Sequence, residues 1–254
     1  MYINTIGQGP DLVLMHGWSM QSAVWHELAE ALAQNFTLHL VDLPGHGQSS
    51  WQQGDLDLPV VLAKMAALLP EQAYYIGWSL GGLISIAFAH QFPERVNKLS
   101  LIAASPRFVQ DETWSCAVDT QVFEAFAANL ADNQQQTLQR FLLLQARGSQ
   151  QSRDTIRQLT EQLANSTPPV TAALQEGLAL LINSDLRNEL AMLACPLQLI
   201  IGDRDTLIPA ALIAEVQQLK ADVDSEIIKG AGHAPFISQP LACQQAIERF
   251  INEH

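Results

Sequence analysis

The segment Gly77-Trp78-Ser79-Leu80-Gly81-Gly82 follows the apolar run Tyr74-Tyr75-Ile76 and precedes a helix-like stretch over residues 80–91. A serine hydroxyl is a weak nucleophile at neutral pH. It becomes reactive beside a base that is itself oriented by an acid. Gly77-x-Ser79-x-Gly81 between a strand and a helix is the setting in which such a serine stands clear of a sheet edge, because glycine leaves room where a Cβ would collide. The same turn sets the Leu80 N–H at a helix start, facing developing negative charge. The chemistry on offer is acyl transfer through a covalent serine ester.

Seven histidines are available as the base. His39 falls within a strand pattern, His26 and His90 within helical patterns, and His254 at the chain end. His233, in Gly230-Ala231-Gly232-His233-Ala234-Pro235-Phe236, occupies a loop after the last strand pattern, where the order serine, acid, histidine places the base. Residues 199–209 supply two acids. Asp203 stands at a strand end and suits holding the turn or pairing with Arg204; Asp205, deeper in the loop, is favoured as the partner of His233. The other oxyanion donor is expected in His16-Gly17-Trp18-Ser19, directly after the run at 12–15. There Gly17 permits a sharp departure, the Trp18 N–H joins that of Leu80, and the Trp18 ring lines the site. Gly45-x-Gly47, after Asp42, lacks the third glycine of a dinucleotide fingerprint.

These residues need a scaffold. Buried strand-sized runs at 12–15, 38–41, 74–76 and 99–103 alternate with helical patterns at 22–35, 58–69 and 80–91. That rhythm predicts an α/β fold with a mostly parallel central sheet and helices on both faces. It stops near Pro106. Residues 113–188 read as helical and Gln-rich, punctuated by Gly148 and Pro168-Pro169, and strands resume at 197–201 and 226–228. The division is a core of 1–110 and 189–254 with a helical lid inserted at 111–188.

Composition narrows the class. The chain has 254 residues, 48% of them hydrophobic, enough for a full core, and only 15% charged, with 26 Gln covering surface instead. A net charge of −13 argues against nucleic acid. Cys116, Cys195 and Cys243 form no C-x-x-C, so neither a thiol redox pair nor a cysteine zinc site is supported, and buried thiols in a reducing compartment are the plain reading. The first residues carry no signal-peptide pattern and no apolar run reaches membrane-spanning length. The expectation is a cytoplasmic monomer, off the membrane, without metal or cofactor.

Together, His16-Gly17-Trp18, Asp42-Leu43-Pro44-Gly45-His46-Gly47, Gly77-Trp78-Ser79-Leu80-Gly81-Gly82, Gly202-Asp203-Arg204-Asp205 and Gly232-His233 resemble the α/β-hydrolase family, whose variable lid the inserted block would be. A narrower likeness adds residues 38–45, Arg140-Phe141-Leu142 with Leu144-Gln145, and 233–238. It is similar to the family of pimeloyl-[acyl-carrier protein] methyl ester esterases of biotin synthesis. The resemblance implies hydrolysis of a carrier-linked methyl ester, with Ser79, Asp205 and His233 as triad. It also implies substrate contacts at Trp18, Leu80 and the stretch Phe141, Leu142, Leu143, Leu144 and Gln145.

The lid's charges can be read independently of that likeness. Arg140, Arg147, Arg153 and Arg157, four of thirteen basic residues, fall within eighteen positions opposed only by Asp154. Their spacings predict Arg140 with Arg147, and Arg153 with Arg157, on common helix faces. An acidic acyl carrier protein could dock there at close range. A carbon–carbon bond hydrolase or a general short-chain esterase could use the same three residues. A catalytically silent binding module is disfavoured by the intact set, and an aspartate-nucleophile enzyme by serine at position 79.

Overall fold

The computed structural model describes residues 1–164 and 167–253, so His254 lies outside the described residues. Within them a seven-stranded sheet comprises β1 (Tyr2–Gly7), β2 (Asp11–Met15), β3 (Thr37–Asp42), β4 (Ala73–Trp78), β5 (Val96–Ile102), β6 (Leu197–Gly202) and β7 (Asp224–Ile228). Their order is β1-β3-β2-β4-β5-β6-β7. The pairs from β3 through to β7 are parallel, and β1 runs antiparallel to β3. Strands β2 and β6 are almost wholly buried, as a parallel sheet covered on both faces requires.

The pleat sorts the side chains into two cores. Val13, Met15, Tyr75, Leu99 and Leu101 join one cluster, together with residues of helices α2 (Leu58–Leu68) and α3 (Leu80–Gln91). Leu12, Leu14, Ile76, Trp78 and Ile102 join the other, with α1 (His26–Leu32) and the C-terminal helix (Pro240–Asn252). Edge strand β1 has no counterpart among the runs read from the sequence. It is half-exposed along its length, so no buried apolar run marks it.

Between β5 and β6 the chain forms α4 (Thr120–Asp132), α5 (Gln134–Ala146), α6 (Ser152–Ala164), α7 (Thr171–Asn183) and α8 (Arg187–Ala191). After β6 come α9 (Leu212–Leu219), α10 (Pro235–Ser238) and α11 (Pro240–Asn252). Helix α7 is tied to the sheet side at several points. The Val170 N–H donates to the Gly45 carbonyl, and both Glu176 carboxylate oxygens accept from amides of the 52–57 loop, Gly54 at 2.8 Å and Leu56 at 3.2 Å. At the base of the insertion, Arg107 reaches Asp185 at 3.0 Å and Asp111 at 3.2 Å. Arg187 reaches Asp185 at 2.6 Å and stacks over Trp114. Hydrogen bonds from Thr113 first, then the charges of Arg107 and Arg187, hold the Asp111 carboxyl below its ordinary range; for Asp185 the Arg187 hydrogen bonds come first, with the charges of both arginines adding to them.

One expectation about the insertion needs correction. Helix α5 ends at Ala146, and Arg147 leaves it with φ −58° and ψ 132°. The seven-residue spacing therefore does not put Arg140 and Arg147 on one helix face, because the helix stops at Ala146 and Arg147 already leads into the turn at Gly148 (φ 82°). Arg153 and Arg157 do share α6, both exposed, and Asp154 pairs with Arg157 at 3.4 Å.

Candidate active site

Strand β4 delivers Ser79 to the first position before α3 with φ 53° and ψ −117°, a left-handed conformation unusual for a residue with a side chain. The glycines around it make that turn possible. A Cβ on Gly77 would lie 2.5 Å from the Gly82 Cα, and one on Gly81 would lie 2.3 Å from the Met15 carbonyl oxygen. On Gly82 it would meet the Ala104 Cβ at 2.4 Å. The Ser79 amide is held by the Ile102 carbonyl at 3.1 Å, and its own carbonyl accepts from Gly82 and Leu83 to start the helix. Ser79 is thus wedged between β4, β5 and α3 with no slack in its backbone.

The loop after β2 approaches the same point. A Cβ on Gly17 would lie 3.2 Å from the Ser79 Cβ and 3.1 Å from the Trp78 ring, so glycine at 17 lets the loop pack closely on the serine turn, and a larger residue would require those side chains to give way. The sharp departure expected of Gly17 occurs instead at Ser19, the residue of this loop with positive φ, at 68°. The reason is the turn, closed by Met20 N–H to Gly17 carbonyl at 3.2 Å, in which the third residue takes the left-handed conformation. Among the described residues the Trp18 and Leu80 amides donate to no protein acceptor; the latter begins a helix and has no intrahelical partner. The Trp18 indole is buried, donates to the Leu174 carbonyl at 2.8 Å, and packs edge-on against Phe141 with centroids 4.7 Å apart.

His16 and His46 support this loop from beneath. His16 Nδ1 lies 2.8 Å from the Gly17 carbonyl and must donate to it, while Nε2 accepts the Leu43 N–H at 3.0 Å. Both ring nitrogens are then satisfied only in the neutral form. His46 Nδ1 lies 3.0 Å from the Pro44 carbonyl, and its Nε2 is buried without a partner. Burial first, then the neighbouring His16 ring at 5.3 Å, pushes the His46 pKa down to about 3; burial likewise lowers that of His16.

On the other side of the sheet end, the loops after β6 and β7 bring Asp205 and His233 together across 28 residues. His233 Nδ1 lies 2.8 Å from Asp205 Oδ2, with both side chains shut off from solvent. Asp205 Oδ1 accepts the Leu207 and Ile208 amides at 2.8 and 3.0 Å, which fixes the carboxylate plane. Asp203 instead accepts the Gly230 N–H at 2.6 Å and holds the turn; among the described residues it has no ion pair with Arg204. The His233 backbone is pinned twice. Its N–H donates to the Gln145 carbonyl at 3.0 Å, and its carbonyl accepts the Trp78 indole N–H at 2.8 Å. With Nδ1 committed to Asp205, His233 Nε2 is buried without a protein partner. The pinning roles of Trp78 and of the Gln145 carbonyl were not read from the sequence. Trp78, inside the serine motif, carried the only hint.

From the lid, α5 turns Phe141, Leu142 and Gln145 inward, leaves Leu144 half-buried, and turns Leu143 outward at 56% exposure. The expectation that Leu143 lines the site is therefore corrected. A continuous five-residue stretch of helix cannot face one way, and position 143 lies across the axis from 141 and 145. Both polar atoms of the Gln145 carboxamide are buried without partners. Phe126 stacks edge-on against Phe141, extending the contact from Trp18 outward to an apolar cavity of about 390 Å³ between α4 and α5. Val122, Ala125 and Phe126 line that cavity, and Arg140 sits in its wall. Among the described residues no cluster of His, Cys, Asp or Glu is arranged to hold a metal ion, and no helix is long and apolar enough to cross a membrane.

The arrangement offers a buried acid–imidazole pair, a serine on a strained turn, and two unpartnered amides. Comparison with known proteins gives it a setting. The profile of the alpha/beta hydrolase fold family matches residues 10–240. The pimeloyl-[acyl-carrier protein] methyl ester esterase of Aeromonas salmonicida is 42% identical over 250 residues, covering 98% of each chain. The protein of that name from Xanthomonas axonopodis pv. citri is 43% identical over 251 residues, covering 99% of this chain and 98% of its own. Among solved structures, an esterase from Exiguobacterium antarcticum superposes with a TM-score of 0.89 at 18% identity, over 99% of this chain and 95% of that one, a likeness of fold.

Proposed function

The chain belongs to the alpha/beta hydrolase fold family and, within it, to the pimeloyl-[acyl-carrier protein] methyl ester esterases, and we propose that it performs their ester hydrolysis with Ser79, His233 and Asp205. The observation that carries the assignment is the buried His233–Asp205 pair: Nδ1 is anchored on the carboxylate, and Nε2, which hydrogen-bonds neither Ser79 nor any other protein group among the described residues, is left to accept a proton. In that tautomer Nε2 is the basic nitrogen and takes the Ser79 proton as the hydroxyl attacks the ester carbonyl. The Trp18 and Leu80 amides receive the oxyanion. His233 then hands its proton to the departing methoxy group, and methanol leaves an acyl-serine ester. Water, deprotonated by the same nitrogen, repeats the sequence and releases the free acid. Asp205 stabilises the imidazolium in both halves.

The substrate side of the proposal rests on the lid. Trp18, Phe141 and Phe126 form an aromatic run suited to a medium acyl chain, and the Gln145 carboxamide, with no protein partner, is available to a polar group of the substrate. Arg140, Arg147, Arg153 and Arg157 are exposed on the lid of a protein whose net charge is −13. We assign them to contact with an acidic acyl carrier protein, effective within a Debye length of about 8 Å. Three free buried cysteines suit a protein working in the reducing cytoplasm.

The test is hydrolysis of pimeloyl-acyl carrier protein methyl ester by the purified protein, paired with Ser79→Ala. The variant should lose both turnover and labelling by a fluorophosphonate; labelling that persists in it would refute the nucleophile. Rescue of biotin-independent growth in a strain lacking its own esterase tests the physiological substrate. Failure of the wild-type gene there would remove the carrier-linked ester and leave ester hydrolysis standing.

A further inference from the structure

Ser19 is built in a way that its place in the fold does not explain. The turn Gly17–Met20 is closed by a hydrogen bond from the fourth residue to the first, and Ser19, the third residue, has φ 68°. That combination marks a type II turn, whose third position calls for glycine because a side chain there is strained. Strain of this kind persists where function maintains it. The serine hydroxyl does not repay the strain within the protein. Ser19 is 1% exposed, and its Oγ is buried without a hydrogen-bond partner among the described residues. A buried hydroxyl with no partner is itself unfavourable. Position 19 thus carries two separate costs, both absent with glycine.

Its location supplies the reason. Gly17, where the turn begins, is packed against Ser79, with a Cβ there 3.2 Å from the serine's own. Ser19 directly follows Trp18, whose amide is unpartnered. Below the turn, His16 holds the Gly17 carbonyl at 2.8 Å, so the loop is fixed in place before substrate arrives. We propose that Ser19 is a further catalytic residue: its hydroxyl donates a third hydrogen bond to the ester oxygen as that oxygen becomes negative, beside the amides of Trp18 and Leu80. This rests on the ester hydrolysis proposed above. The interaction strengthens as charge develops, so it acts on the chemical step more than on ground-state binding.

Two variants separate the hydroxyl from the strain. Ser19→Ala removes the hydroxyl and keeps the strained side chain; Ser19→Gly removes both. Steady-state hydrolysis of a short p-nitrophenyl ester and inhibition by a boronic acid, which forms a tetrahedral adduct on a serine, are the readouts, with melting temperature measured alongside. Removing a primary oxyanion donor lowers kcat about 10²–10³-fold. An auxiliary hydroxyl should cost roughly 10–100-fold in both variants, with KM within about twofold and boronate affinity weakened in parallel. Ser19→Gly should be slower than wild type yet melt higher. Wild-type kcat in Ser19→Gly overturns the proposal whatever Ser19→Ala does, because glycine lacks the hydroxyl as well. A loss carried by KM with kcat and boronate binding intact also overturns it. If wild type hydrolyses no ester or Ser79→Ala retains activity, the underlying reading fails instead, and that result is distinct from each of these.

Discussion

Acid should weaken this protein through His46. The ring is buried, donates through Nδ1 to the Pro44 carbonyl, and has no acceptor for a proton on Nε2. Its pKa is held down at about 3, against about 6.5 in an unfolded chain. The folded state keeps the ring neutral while the unfolded state takes up a proton below about 6.5. The stability this represents is therefore full above that pH and declines as pH falls toward about 3. Between pH 7 and pH 5 the unfolded chain gains about 2 kcal/mol from that one histidine. Urea unfolding of the wild type and His46→Gln at both pH values isolates the term, because the baseline effect of the substitution and the contributions of other groups cancel in the difference. The wild type should lose roughly 1–2 kcal/mol more than the variant over that interval. Equal losses would refute the argument, showing that the ring takes up its proton in the folded protein at no disadvantage.

Other consequences are open to direct measurement. Asp205→Asn should lower kcat by about 10³–10⁴-fold with little change in KM, because the amide no longer fixes the Nδ1–H tautomer of His233; steady-state kinetics decide it. Gly81→Ala drives a Cβ to 2.3 Å from a backbone oxygen of β2 and should destabilise by about 1–3 kcal/mol or fail to accumulate as folded protein, read by thermal denaturation. Glu176→Ala leaves the Gly54 and Leu56 amides without their carboxylate. It should cost about 2 kcal/mol, a few degrees of melting temperature, and raise protease sensitivity around α7.

How far the sequence reached depends on the kind of information each feature carries. The buried parallel strands are legible because burial on both faces leaves unbroken apolar runs, as at residues 12–15 and 197–201; β1 is half-exposed and leaves no such mark. The glycines at 77 and 81 are legible because a steric need admits one residue type. Gly17 shows the limit of that reasoning, since glycine can answer to close packing or to left-handed backbone and the letter does not say which. The backbone twist falls instead on Ser19, whose residue type gives no warning. Asp203 and Asp205 are told apart by their place relative to the strand end, while the distances that make Asp205 the partner of His233 and Asp203 the holder of the Gly230 turn come from the coordinates. Leu143 and Arg147 were misjudged for a common reason: where a helix rotates and where it stops decide which way each side chain points, and the motif crosses both boundaries.

The ion pairs of Arg107, Asp111, Asp185 and Arg187 carry a consequence for how this molecule can change. They cinch the two strands of chain that leave and re-enter the sheet, so the ends of the intervening helices meet at a fixed point. A segment gripped at its root can be lengthened, shortened or exchanged for another while β5 and β6 keep their spacing. Selectivity can then drift with the outer parts of the segment, provided the Gln145 carbonyl that pins His233 and the Leu174 carbonyl that holds the Trp18 indole stay where they are.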